Sequence, residues 1–235
     1  MEHIEAIAAL QDPVRRRLYE YVVAQGRDVG RNEAAEVAGV ARTLAAHHLD
    51  RLTEAGLLES GSRRLTGRSG PGAGRPAKVY RRAPGERSVS LPARDYRTAA
   101  ELLAEAAELA GLDAGLCAAA RRRGEALRGA TEPCGSLEEA MELLAARGYE
   151  PHLEAAEAAD GDHAAEAAEP AEAAVIRLRN CPFHAVAERF PPLVCGMNLA
   201  LLEGLLGESD AVRARMDARP GECCVVVEPS KNNIH

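Results

Sequence analysis

Three short helical runs, each cut off by a glycine, open this chain, and their order restricts its first part to few folds. Asp12-Pro13 is an N-cap followed by proline at the first helical position, and the helix it starts runs through Arg17, Leu18, Tyr21 and Val22 to Gly26. A second covers roughly Asn32 to Ala38 and stops at Gly39. The third takes Val40 to Ala55, with an expected buried stripe of Val40, Leu44, His48 or Leu49, and Leu52. That leaves Arg42, Thr43, Ala46, His47 and Arg51 on its outer side, before Gly56-Leu57-Leu58 turns into a strand.

The strand begins a hairpin. From Glu59 to Ala83 a strand, a tip rich in Gly, Ser and Arg, and a return through Val79, Tyr80 and Arg81 follow one another. Residues 59–87 hold eight basic side chains against two acidic ones, which concentrates a positive field on one element. Helix, helix, helix and basic hairpin is the order of a winged helix-turn-helix. The phrases HHLDRLTEAGLL (47–58) and GRPAKVY (74–80) resemble the ArsR-like class over about the first 85 residues. Double-stranded DNA is the expected partner. Lys and Arg neutralise phosphates and release counterions, while the third helix reads base edges in the major groove. Arg42 is the candidate base reader. Arg63, Arg64, Arg68, Arg75 and Lys78 are candidates for phosphate or minor-groove contact, although each taken alone is equally a solvated surface charge.

A change of composition marks a second half. Residues 1–90 hold 15 Lys and Arg against 11 Asp and Glu, and the rest hold 14 against 25. Aromatic residues make up only 3% and there is no Trp, so the cores must be built mainly from Ala, Leu and Val. Beyond Pro92, the residues Tyr96, Ala99, Ala100, Leu102, Leu103, Ala106, Ala107 and Leu109 mark a long helix. Its small residues invite close helix packing, and a module reading a palindromic operator needs two copies, so this helix is expected to build a homodimer. Packing within one chain is the plainer reading. A helix over about 113–130 carries Arg121 to Arg123 on a solvated face, and Ser136-Leu-Glu-Glu offers a capping box for a helix to Arg147. Tyr149 to Ala155 and Ala174 to Arg179 read as strands, separated by an Ala/Glu/Asp segment expected to be a mobile loop. Paired helices at 182–207, a strand near 212–218, a turn at Pro220-Gly221 and a strand to Glu228 complete the chain, with a frayed tail.

Six cysteines and no signal-like or membrane-length apolar run lead us to expect a cytoplasmic protein with no membrane contact, in which thiols serve metals or redox chemistry before disulfides. Cys117 and Cys134 read as plain buried residues. Cys181 and Cys195 stand fourteen positions apart around a short helical segment, and Cys223 follows twenty-eight positions later. Cys181 precedes Pro182, so a helix dipole would favour its thiolate. Strand alternation predicts that Cys223 and Cys224 face opposite ways, with Cys223 on the side of Val225 and Val227.

The runs Cys-Pro-Phe-His (181–184), Leu-Val-Cys (193–195) and Gly-Glu-Cys-Cys (221–224) resemble the C-terminal half of the SufR group of iron-sulfur regulators. That group pairs a winged-helix DNA reader with a cysteine-bound cluster and represses genes of cluster assembly. The resemblance implies Cys181, Cys195 and Cys223 as ligands of a 4Fe-4S or 2Fe-2S cluster; His184 and Cys224 are candidates for a fourth. The first two cysteines stand one residue further apart than in the best-known members. Zinc held by three Cys and His184 is the alternative, though tight Cys-x2-4-Cys pairs are absent. So is a small-molecule effector, with the cysteines merely buried. No G-x-S-x-G, Walker loop, dinucleotide fingerprint or H-E-x-x-H occurs, so an enzyme is not expected. The expected class is mainly α with α+β. A DNA-binding domain occupies 1–85, a helical linker and dimerisation region 86–133, and an α+β sensor domain 134–235.

Overall fold

The computed structural model describes residues 2–63, 76–155 and 174–230. The fold is mixed α plus β, and the chain divides into two compact units, residues 1–94 and 95–235. The helices of the expected 86–133 segment belong to the second.

In the first unit α1 (Glu2–Ala9) precedes α2 (Pro13–Gln25), β1 (Val29–Gly30), α3 (Arg31–Ala38), α4 (Arg42–Glu54), β2 (Leu58–Arg63) and β3 (Ala77–Arg82). Asp12 caps α2 by accepting from the backbone N–H groups of Val14 and Arg15 at 2.9 Å, and Gly26 ends it in the left-handed region at φ 62°. The strands form an antiparallel sheet in the order β1-β3-β2, with Ser60 opposite Tyr80 and Arg63 opposite Ala77. Leu18, Val22, Val29, Ala34, Leu49, Leu52 and Leu58 close the core, together with Ala6 from α1. The sequence reading did not include α1, because its two isoleucines stay exposed and only Ala6 is buried.

The buried stripe of α4 is Ala45, His48, Leu49 and Leu52. Leu44, expected inside, is 42% exposed. Ala45 rather than Leu44 faces the core, so the helix is rotated toward its small residue and can approach its neighbours closely. The phenol of buried Tyr80 donates to Asp50 at 2.6 Å and accepts from the Arg31 Nε at 2.9 Å, which ties β3 to α3 and α4. Burial, and then the Asp50 carboxylate, push that phenol up to about 12.

The second unit contains α5 (Tyr96–Leu109), α6 (Asp113–Arg128), α7 (Leu137–Ala145), β4 (Pro151–Ala155), β5 (Ala174–Leu178), α8 (His184–Ala187), α9 (Pro191–Leu206), β6 (Val212–Met216) and β7 (Val225–Pro229). Ser136 caps α7 by accepting from the Glu139 N–H, and the Glu139 carboxylate reaches back to the Gly135 N–H at 2.8 Å. The antiparallel sheet runs β4-β5-β7-β6, with Leu153 opposite Ile176 and Ile176 opposite Val227. Ile176, Leu178, Val225 and Val227 meet Leu202, Leu205 and Leu206 of α9 and Leu144 of α7. α6 crosses α9 where Gly124 and Gly204 face each other's backbone: a β-carbon on Gly124 would run into the Leu201 carbonyl, and one on Gly204 into that of Arg121. The Ala/Glu/Asp segment expected as a mobile loop lies outside the described residues, as does most of the tail. No described helix is long and apolar enough to cross a membrane.

Candidate functional site

Two groups of candidate residues lie in separate units. On α4, Arg42, Thr43, His47 and Arg51 are exposed and Ala46 is half-buried, with Leu44 among them. Arg51 pairs with Glu54 at 2.9 Å on the same helix. Arg63, at the end of β2, lies 3.4 Å from Asp28. Lys78, a candidate for phosphate or minor-groove contact, has its ammonium 2.7 Å from Asp50 and over the Tyr80 ring, and Asp50 is shared with Arg31 at 3.5 Å. Arg64, Arg68 and Arg75 fall outside the described residues.

In the second unit the cysteines gather where β5, α9 and the β6–β7 hairpin meet. Asn180, just past β5, accepts from the Glu150 N–H at 2.7 Å and donates to the Gly148 carbonyl at 2.8 Å, which fixes the chain as it reaches Cys181. The Cys223 N–H donates to the Leu178 carbonyl at 2.9 Å, so Cys223 lies across the end of β5, beside Cys181. The Asp217 N–H donates to the Cys224 carbonyl at 2.8 Å and closes the hairpin, whose turn passes through Gly221 at φ 82°.

The sulfurs form two pairs. Cys181 and Cys223 are hydrogen-bonded thiols, and Cys195 is disulfide-bonded to Cys224, with α-carbons 6.4 Å apart. Cys223 is buried in the core with Val225 and Val227, the side expected for it, and Cys224 turns to a different partner. Both precede β7, in irregular backbone, and each turns its sulfur toward a partner. Cys195 lies in the second turn of α9. α8 is a four-residue helix that starts three residues after Cys181. The contact between the two thiols lowers Cys223 against the opposing effect of burial, with further help from the Val225 N–H and the Asn198 amide, and raises Cys181. His184 is 72% exposed and lies 3.2 Å from Glu188, turned to solvent. Cys134 is buried, and burial raises its thiol.

Sequence reading missed three residues of this centre. Asn198 is fully buried on α9, donates to the Cys223 sulfur at 3.4 Å and accepts from the Tyr149 phenol at 2.6 Å. An amide one turn after Cys195 in an otherwise apolar helix was the available signal. Arg177, in the middle of β5, is 1% exposed, and its guanidinium meets Glu154 at 2.6 Å and Asp217 at 2.7 Å, with Glu222 at 3.9 Å. It sits on the face opposite Ile176 and Leu178 and holds the turn that carries Cys223 and Cys224.

Among the described residues no three His, Cys, Asp or Glu side chains stand as a metal-holding group. The donor chemistry is that of a soft metal, but each sulfur pair is closed on itself, so the cysteines as arranged do not fit a cluster. A cavity of about 380 Å³ beside the end of α9 is lined by Arg121, Glu203, Asp210 and Arg213 among others and contains no cysteine. Neither a protein family, nor a curated protein, nor a solved structure matches this chain.

Proposed function

We propose that the protein is a DNA-binding transcriptional regulator, a repressor of winged helix-turn-helix type, whose operator binding is governed by the cysteine centre of its second unit. The observation that carries the reading is α4. It follows a short helix, stands beside the β2–β3 hairpin, and exposes Arg42, Thr43, His47 and Arg51. Such a row suits a helix laid in a major groove, where Arg42 donates to base edges and basic residues on the hairpin neutralise phosphates. A palindromic operator calls for two copies, and α5 offers the means. It buries none of its residues and leaves Leu102, Leu103 and Leu109 exposed, while Ala104 and Ala107 rest near Phe190 and Leu193.

The resemblance to the SufR group supports an iron-sulfur cluster on Cys181, Cys195 and Cys223 as the signal, with zinc as the alternative. With Cys195 closed on Cys224, loading would first require that bond to open. The test is selection of duplexes from a random pool, followed by binding titrations at several salt concentrations. A specific duplex should emerge, its affinity falling with salt, and Arg42→Ala should cost about 1–3 kcal/mol on it while sparing unrelated DNA. Failure of the pool to enrich would end the reading. Leu102→Glu combined with Leu103→Glu should give monomers in sedimentation.

A further inference from the structure

Cys195 and Cys224 are held in different parts of the second unit, Cys195 by α9 and Cys224 by the turn before β7. We propose that the bond between them is a reversible redox modification, whose closure withdraws two of the four gathered sulfurs from any metal and whose opening returns them. The inference deepens the function proposed above, on which its consequence for metal holding rests; the bond itself does not depend on that reading.

Three features distinguish this bond from a structural staple. First, its α-carbons lie 6.4 Å apart, inside the range a disulfide spans, on backbone that other interactions already hold. The Cys224 carbonyl accepts from Asp217, the Cys223 N–H is bound to Leu178, and Arg177 and Arg219 anchor the same turn through Asp217 and Glu154. Opening the bond therefore leaves turn and helix in place. Second, Cys195 and Cys224 are both half-exposed, as Cys181 is, whereas Cys223 is buried, so a reagent from solvent reaches both sulfurs of this bond but only one of the thiol pair. Third, a thiol pair, Cys181 with Cys223, lies beside the bond, and Cys223 is the chain neighbour of Cys224. A free thiol next to a disulfide can open it through a transient mixed disulfide that added thiol then resolves.

The oxidant is a small-molecule disulfide such as oxidised glutathione. In the open form the thiolate of Cys195 or of Cys224 attacks it, breaking its S–S bond and releasing one thiol. The second cysteine then attacks the mixed disulfide, forming the Cys195–Cys224 bond and releasing the other thiol. Two electrons pass to the reagent, and the two protons end on the released thiols.

The full chain, equilibrated without oxygen in glutathione buffers from reduced to oxidised, should lose two thiols. Peptide mapping should place the single link at Cys195–Cys224, and reduced glutathione should reverse it without denaturant and without change in far-ultraviolet dichroism. Cys181→Ser and Cys223→Ser should still form the link; Cys195→Ser and Cys224→Ser should not. Reduced protein should take up iron and sulfide on reconstitution, and oxidised protein should lose that capacity. A link mapped elsewhere, opening only in denaturant, or equal iron loading of both forms overturns the inference. Iron in neither form, with the reversible link mapped as stated, supports the redox bond and removes the iron-sulfur reading instead.

Discussion

Removing the Tyr149–Asn198 contact tests how the second unit's core holds the cysteine centre. Both side chains are buried, and the phenol donates to the amide oxygen at 2.6 Å while the amide donates to Cys223. Tyr149→Phe leaves that oxygen without its donor inside the core, a cost of about 1–3 kcal/mol. Asn198→Leu strands the phenol at a similar cost, about 1–3 kcal/mol, and takes one donor from the Cys223 sulfur. The double variant strands neither partner of the pair. It should therefore be more stable than the sum of the single losses predicts, by a coupling energy of about 1–2 kcal/mol. Urea unfolding followed by far-ultraviolet dichroism gives the four stabilities, with reductant present so that the Cys195–Cys224 bond is open in every variant. Losses that add to within about 0.5 kcal/mol would refute the coupling.

Three further outcomes follow from particular contacts. Gly124→Ala should destabilise the second unit by about 1–3 kcal/mol, because α6 and α9 must separate around the new methyl, whereas Gly115→Ala, with open space at that position, should not; thermal unfolding separates the two. Arg177→Met should cost about 1–3 kcal/mol, since Glu154 keeps Arg219 and Asp217 keeps Arg215, and should speed protease cleavage between residues 217 and 222; unchanged cleavage would count against the clamp. Burial holds the His48 imidazole below its ordinary value, with Arg15 and His47 acting in the same direction and Asp12 opposing. The unfolded chain then binds the proton more readily. The first unit keeps this stability above about pH 6.5 and loses it as pH falls through the lower folded value, so His48→Leu should flatten that part of the stability profile.

Sequence reading worked where the signal is local. Asp12-Pro13, Gly26, Gly39 and the Ser136 box each act within a turn of helix, and each helix begins or ends beside them. It failed where the signal was silent or belonged to another element. α1 carries Ile4 and Ile7 at helical spacing, yet both stay exposed and Ala6 is the residue it buries, so the apolar pattern does not mark its packed face. On α4 His48, Leu49 and Leu52 are buried as expected, but in the first turn Ala45 takes the inner position and Leu44 is exposed. Cys223 does lie in the core with Val225 and Val227, as expected, but which sulfur each cysteine meets is set by α9 and the end of β5 and has no local signal.

The amino-acid order alone determined the succession of helices and strands, the basic hairpin, the acidic second half and the three segments that carry Cys181, Cys195 and the Cys223-Cys224 pair. Caps, periods and charges are read within a few residues of where they act. Only the tertiary structure decided which sulfur meets which, that Arg177 closes on Glu154 and Asp217, and that Gly124 must stay bare beneath α9. Those outcomes depend on the distance between backbones far apart in the chain, which packing sets and no local pattern encodes.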